Sequence, residues 1–220
     1  QISYFFVSHE LINIQLIIRE LLTAIMTSNN QQSDHFMDLQ QLNKQLESVE
    51  DEPPFDQWQP TVCGDIDIVI ANDGTWLHEG KVITRMGLVK LLARVLIKEG
   101  NDYYLKTPVE KMRIQVEDAP FMITQWQKIK TKNEPNSEQI QVSSNLDHQV
   151  TLCDKHPLII NNQGSGEPSL YVVLHRQLTA KVHRNVYYQW AELAQEKQID
   201  GATHFVITSG EQTFSIGKLD

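Results

Sequence analysis

The chain has 220 residues, a formal charge of −9 and 40% hydrophobic residues, enough apolar content for one large domain or two small ones. That acidity argues against a nucleic-acid backbone as the main partner, because such binding needs a basic surface, though it leaves room for a local basic pocket. Two cysteines, Cys63 and Cys153, are too few for a disulfide framework and read as reduced thiols in a cytoplasmic protein.

Residues 1–25 are apolar in patches, but His9, Glu10, Arg19 and Glu20 interrupt them. No uncharged run reaches the ~20 residues that span a bilayer, so no membrane partner is expected. No basic start with a cleavage site suggests a secretory signal. Met26 opens a polar stretch, MTSNNQQSD, and the expectation is that the natural protein begins there, with 1–25 a non-native or unstructured extension or else a short helix. Peptides from before Met26 in native material would sink the non-native reading. Residues 26–52 then form an N-terminal helical segment, with Leu39, Leu42, Leu46 and Val49 near helical spacing and Pro53-Pro54 ending it.

From Asp65 the period switches to two. Ile66, Ile68 and Ile70 share one face and Asp65 and Asp67 the other, which predicts a strand. Asn72-Asp73-Gly74 supplies turn chemistry, TWLH returns, and Glu79-Gly80 turns again. Thr84 is placed to cap a helix that Leu88, Leu91, Leu92, Val95 and Leu96 extend to about Lys98, with Gly100 closing it. DYYLK follows as a strand. Met112, Ile114 and Val116 then alternate against Lys111, Arg113 and Gln115, and PFMITQW continues as strand. KIKTKNEPNSE is polar and loop-like, the best candidate for a boundary, which puts a first unit at 53–127 and a second at 128–220. In the second, a hairpin turns at Asn145-Leu146-Asp147, and strands HPLII and SLYVVLH are joined by NNQGSGEP. A helix runs from Arg184 to Lys197, and strands THFVITS and QTFSIG close the chain.

The order of strands, helix and hairpin occurs twice. At an offset of 101, GLVKLLARVL falls near YQWAELAQEK, and Thr107-Pro-Val-Glu110 falls on Thr208-Ser-Gly-Glu211. These patterns predict an α+β protein of two similar units, each a mostly antiparallel curved sheet plus a helix.

Three constellations carry chemistry. Asp65 and Asp67, two apart on a strand, point the same way and with Asp73, or with Glu117 and Asp118, could gather oxygen ligands for Mg²⁺. The plainer reading, which we favour, is turn and surface carboxylates, so no metal is expected. Glu117-Asp118 as a general-acid pair is weakened because neighbours on a strand face opposite ways. The third constellation is basic: Arg113, Lys111 and Lys106, with Arg85 at a helix start, where free amides favour anions. Its alternative is a solvated face of intramolecular salt bridges. The eight histidines are dispersed without zinc spacing, and no dinucleotide, kinase or hydrolase fingerprint is present, so no cofactor is expected.

CGDIDIVIANDGTW, Ile83 to Arg85, YYLKTPVEKMRIQVEDAPF and LTAKVHRNVYYQWAEL resemble a proteobacterial family catalogued only as a domain of unknown function. The resemblance runs from about Pro53 to the C-terminus. It implies a duplicated fold with a pleckstrin-homology-like second half, and a small, nucleotide-like ligand held where the two parts meet, in a signalling role. On that reading Arg85, Arg113 and Arg176 are the anion contacts, Asp65, Asp67 and Glu117 orient them or ribose-like hydroxyls, and Trp76 is an apolar wall. The alternatives are a metal-assisted phosphate-ester hydrolase and a protein-interaction scaffold, for which a protein partner stays open.

Overall fold

A computed structural model describes residues 53–131, 134–161 and 169–219. The expectations for residues 1–52, and for all but the first residue of the NNQGSGEP connection, lie outside the described residues. Over these the chain divides into two units, one of residues 53–69 and 75–115, the other of 70–74 and 116–219. The architecture is α+β.

The first unit is a six-stranded sheet and one helix. Its strands are β1 (Val62–Ile70), β2 (Trp76–His78), β3 (Lys81–Val82), β4 (Leu96–Glu99), β5 (Asp102–Lys106) and β6 (Glu110–Val116), in the order β3-β2-β1-β6-β5-β4. The alternation in β1 does what period two dictates: Ile66, Ile68 and Ile70 are buried, while Asp65 and Asp67 are exposed. In β6, Ile114 is buried and its neighbours Arg113 and Gln115 face water. Helix α1 (Met86–Arg94) buries Val89, Leu91, Leu92 and Ala93.

Helix α1 is four residues shorter than its apolar spacing suggests, and its N-cap is Arg85, not Thr84. Leu96–Glu99 leave the helix and pair antiparallel with β5, Leu96 opposite Leu105 and Glu99 opposite Asp102. The reason is that a buried strand and a helix stripe demand the same apolar residues over so short a run, and the partner strand decides. Gly100 (φ 61°) therefore serves the β4–β5 turn and not a helix end.

The second unit holds β7 (Phe121–Thr131), β8 (Glu134–Ser144), β9 (Gln149–Thr151), β10 (Leu158–Asn161), β11 (Ser169–Val173) and β12 (Thr179–Val182), ordered β10-β11-β12-β7-β8-β9. Its β12–β7 pair is parallel, with Ala180 opposite Phe121, and its other pairings in this sheet are antiparallel. Of the polar KIKTKNEPNSE stretch, residues 128–131 lie in β7 and 134–138 in β8, where Lys128 pairs with Ile140 and Lys130 with Glu138. Polar residues are admissible there because the outer end of a hairpin is wet on its faces.

Helix α2 (Arg184–Leu193) then leads into a meander of β13 (Gln195–Ile199), β14 (Ala202–Ser209) and β15 (Gln212–Lys218). As in the first unit, the helix ends early, because Gln195–Ile199 pair with β14 across the turn Asp200-Gly201 (φ 50° and 80°). The sequence helix, strand, glycine turn, strand, strand thus occurs twice, and Gly100 and Gly201 mark its repeat. Trp190 is fully buried on α2, edge-on to Trp126 at 6.3 Å. Ser209, buried, accepts from the amide of Ile140 (2.9 Å) and donates to the carbonyl of Leu152 (2.8 Å), so its polarity is satisfied inside.

The turn 70–74 belongs to the second unit although its flanks lie in the first. Gly74 sits at φ 82°, and a Cβ there would lie 2.8 Å from Asn145 Nδ2. Gly80 has a similar φ of 73° but open space around it. Gly80→Ala is expected to cost about 1–2 kcal/mol, the left-handed backbone penalty alone. Gly74→Ala should cost more, and urea unfolding of the two variants measures the difference. Equal costs would mean that Asn145 yields without resistance.

Candidate functional site

A hairpin tip must reverse the chain with a twist that matches its strands, which type I′ turns achieve with two residues at positive φ, usually Asn-Gly or Asp-Gly. Between β11 and β12 the turn is His175–Leu178, closed by the Leu178 amide on the His175 carbonyl at 3.1 Å and flanked by Leu174 N to Leu178 O at 2.7 Å. Its two central residues are Arg176 (φ 56°, ψ 31°) and Gln177 (φ 59°). Among the described residues, the other adjacent pairs at positive φ, Glu79-Gly80 and Asp200-Gly201, each contain a glycine. This one does not, and each non-glycine residue there costs of order 1–2 kcal/mol. Strain of this kind persists where surrounding structure enforces it, and it clusters at binding and switch sites.

The turn gathers basic groups. His175 packs edge-on to His156, ring centroids 5.0 Å apart, and the Nδ1 of His156 lies 3.0 Å from the Val173 carbonyl at the end of β11. His148, half-buried after the β8–β9 turn, tilts against Phe121 at 4.6 Å and meets the Ser144 hydroxyl at 3.2 Å. Burial, and after it the nearby charges of Arg176 and His175, hold the His148 imidazole below its ordinary pKa, with Asp147 opposing them. Arg176 is half-buried, and its Nε is shielded from solvent. The strained turn therefore carries a guanidinium and an imidazole, with His156 packed on His175 and His148 within electrostatic reach of Arg176 and His175. Groups of this chemistry can bind an oxyanion, because a guanidinium can grip two oxygens and an imidazole N–H can donate to another.

The remaining residues singled out from sequence are placed as follows. Arg85 is the N-cap of α1, with its carbonyl accepting from Leu88 and Val89 and no side-chain cap bond. Arg113 Nε donates to Asp65 Oδ1 at 2.7 Å, across two exposed side chains, and that bond raises the arginine's already high pKa. Beside them Lys111 pairs with Glu99 and lies 4.2 Å from the Tyr104 ring centre. Asp67 is exposed on β1. Trp76 is 2% exposed in β2, a core residue of the first unit. Glu117 accepts the Asn72 amide at 2.9 Å and so holds the 70–74 turn. Its neighbour Asp118 faces elsewhere, accepting Tyr171 Oη at 2.7 Å and Lys181 Nζ at 2.6 Å. Burial, then this bond, pushes Tyr171 up to about 12, so the phenol stays a donor and acts as a brace. Of the sequence-derived residues, Arg85, Arg113, Asp65, Asp67 and Trp76 lie in the first unit, and Glu117 and Arg176 in the second.

His148, His156 and His175 were not singled out by the sequence. The available signal was LHRQLT, a hairpin tip without Gly, Asn or Asp, and a tip so composed points to a turn kept for its side chains.

Residues 53–119 match the family model "Domain of unknown function (DUF1285), N-terminal domain", and residues 120–216 match "Protein of unknown function (DUF1285), C-terminal domain". Among solved structures the chain is similar to a DUF1285 family protein from Silicibacter pomeroyi DSS-3, at 28% identity over 77% of this chain and 90% of that one, with a TM-score of 0.67. It is also similar to a DUF1285 family protein from Shewanella baltica OS155, at 30% identity over 57% and 90%, with a TM-score of 0.44. No curated protein matches it.

The lowered His148 pKa has a signed consequence. Below about 6.5 the unfolded chain takes up a proton at this residue before the folded chain does, so the folded state loses stability as pH falls from there toward the folded pKa. His148→Gln should flatten that decline in urea unfolding followed from pH 7.5 to 5. An unchanged slope would assign the linkage to another group.

Proposed function

The chain belongs to the DUF1285 family, whose two domains it matches from residue 53 to residue 216, and we propose that it is a non-enzymatic binding module for a small anionic, nucleotide-like ligand, acting in signalling. The observation that carries this reading is the left-handed Arg176-Gln177 turn, which presents a guanidinium next to His175, itself packed on His156, where a relaxed Asn-Gly pair would serve the hairpin alone. Arg176 is the anion contact in this proposal. Arg113 is engaged by Asp65 on an open face, where an ion pair contributes little and water competes for both partners.

A metal-assisted hydrolase finds less support. Among the described residues no three His, Cys, Asp or Glu side chains gather as a metal site would require. A cytoplasmic location fits the free thiols of Cys63 and Cys153. Among the described residues no helix is long and apolar enough to cross a membrane.

A ligand present at 100 times its dissociation constant stabilises the folded state by about 2.7 kcal/mol. For a chain of this size that is a rise in melting temperature of roughly 5–10 °C. The full chain, screened against nucleotides and other small phosphates, is expected to show such a shift with at least one of them, lost in Arg176→Ala and kept in Arg113→Ala. A shift that survives Arg176→Ala would refute the assigned contact. Silence across the panel would refute the module.

A further inference from the structure

Hydrogen-bond partners fix which nitrogen of two of these imidazoles carries the proton. The Ser144 hydroxyl has one proton and two lone pairs. The amides of Leu146 and His148 both donate to its Oγ, at 3.2 and 3.1 Å. With both lone pairs engaged, its proton is left for the third neighbour, Nδ1 of His148 at 3.2 Å. Nδ1 is therefore an acceptor, and neutral His148 carries its proton on Nε2. At His156 the logic inverts. Its Nδ1 faces the Val173 carbonyl at 3.0 Å, an atom that can only accept, so Nδ1–H donates and the neutral ring keeps a lone pair on Nε2.

The two rings are thus of opposite kind, one an N–H donor and the other an acceptor, with His175 against one and within electrostatic reach of the other. Arg176 adds guanidinium donors on the same turn. A fully deprotonated oxyanion such as sulfate satisfies donors but brings only lone pairs to an imidazole lone pair. A phosphomonoester, with a second pKa near 6, acquires a P–O–H at little cost near neutral pH, and inorganic phosphate keeps one as monoanion and as dianion.

We infer that the ligand of this corner is a soluble phosphate, free or as a small phosphomonoester, selected over sulfate by the Nε2 lone pair of His156. The inference rests on the anion site proposed above and narrows its chemistry. The shared proton sits between phosphate oxygen and Nε2: either the monoanion donates it, or the dianion faces an imidazolium that has accepted it. Both descriptions hold the same atoms and charge, and sulfate at neutral pH has no such proton to share.

The test is NMR of the full ¹⁵N-labelled chain, using long-range ¹H–¹⁵N correlations of the imidazole rings, followed by titration with inorganic phosphate and with sulfate near pH 7. The expected tautomers are Nε2–H at His148 and Nδ1–H at His156. Phosphate should shift both rings and bind about tenfold or more tightly than sulfate, the weight of one charge-assisted hydrogen bond. Equal affinity for the two anions, or an Nε2–H tautomer at His156, would overturn the selectivity while leaving an anion site in place. No response to either anion would remove the site and the selectivity together. Capture of the chain by phosphatidic acid vesicles, with no response to soluble phosphate, would replace the soluble ligand by a lipid headgroup.

Discussion

The five residues from Ser144 to His148 tie together several parts of the second unit. Ser144 is 4% exposed, so its hydroxyl has to be satisfied inside, and it takes the amides of Leu146 and His148. Asn145 exchanges both backbone and side-chain bonds with Met122: its amide donates to the Met122 carbonyl at 2.8 Å and its Oδ1 accepts the Met122 amide at 3.1 Å. The other end of the same carboxamide occupies the space a side chain at residue 74 would need. One short turn, with Asp147 at φ 64° to close it, therefore fixes the end of β8 to β7, seats the 70–74 loop and orients His148. None of these groups has solvent as a full substitute, so displacing one leaves buried donors or acceptors behind.

The repeated helix-and-meander shows how one backbone solution accommodates two side-chain solutions. In both copies the helix stops one residue before a strand that folds back at a glycine with positive φ, Gly100 or Gly201, where a Cβ would be strained. The cores differ. Helix α1 fills its buried face with Val89, Leu91, Leu92 and Ala93, whereas α2 buries Val186 and the large indole of Trp190. A few large residues can replace several small ones if volume is conserved, and packing, more than identity, is what the repeat preserves. That is why the duplication is weak in sequence and plain in element order.

Local order was legible in the sequence, and long-range order was not. The Asp65–Ile70 part of the first strand, the turn at Asn72-Asp73-Gly74 and the alternation from Lys111 to Val116 could be read because period two and turn chemistry are written within a few residues. The ends of both helices could not, since Leu92, Val95 and Leu96 fit a helix stripe and a buried strand equally, and β5 arbitrates from outside the window. The pair Arg113–Asp65 spans 48 positions, and the histidines at 148, 156 and 175 come from three separate connections. No spacing rule predicts such meetings. Only the absence of glycine at the Arg176-Gln177 tip left a local trace.

Charge has to be weighed by its surroundings rather than by its count. On the first unit's sheet, Arg113 with Asp65 and Lys111 with Glu99 form ion pairs, and the Arg113–Asp65 pair joins two exposed side chains where water competes for both partners. Their fields largely cancel within the pair and are screened beyond about 10 Å at moderate salt. Arg176 differs in its setting: its Nε is shielded from water, its backbone is held by a closed turn, and its charge is felt at His148. At an effective dielectric near 20, a unit charge at 4 Å interacts by about 4 kcal/mol, against about 1 in bulk water. A chain of net charge −9 can therefore still attract an anion to one place, provided the cation there is rigid and partly dry. The proposed contact Arg176 is half-buried on a hydrogen-bonded turn, whereas Arg113 on the first sheet is exposed.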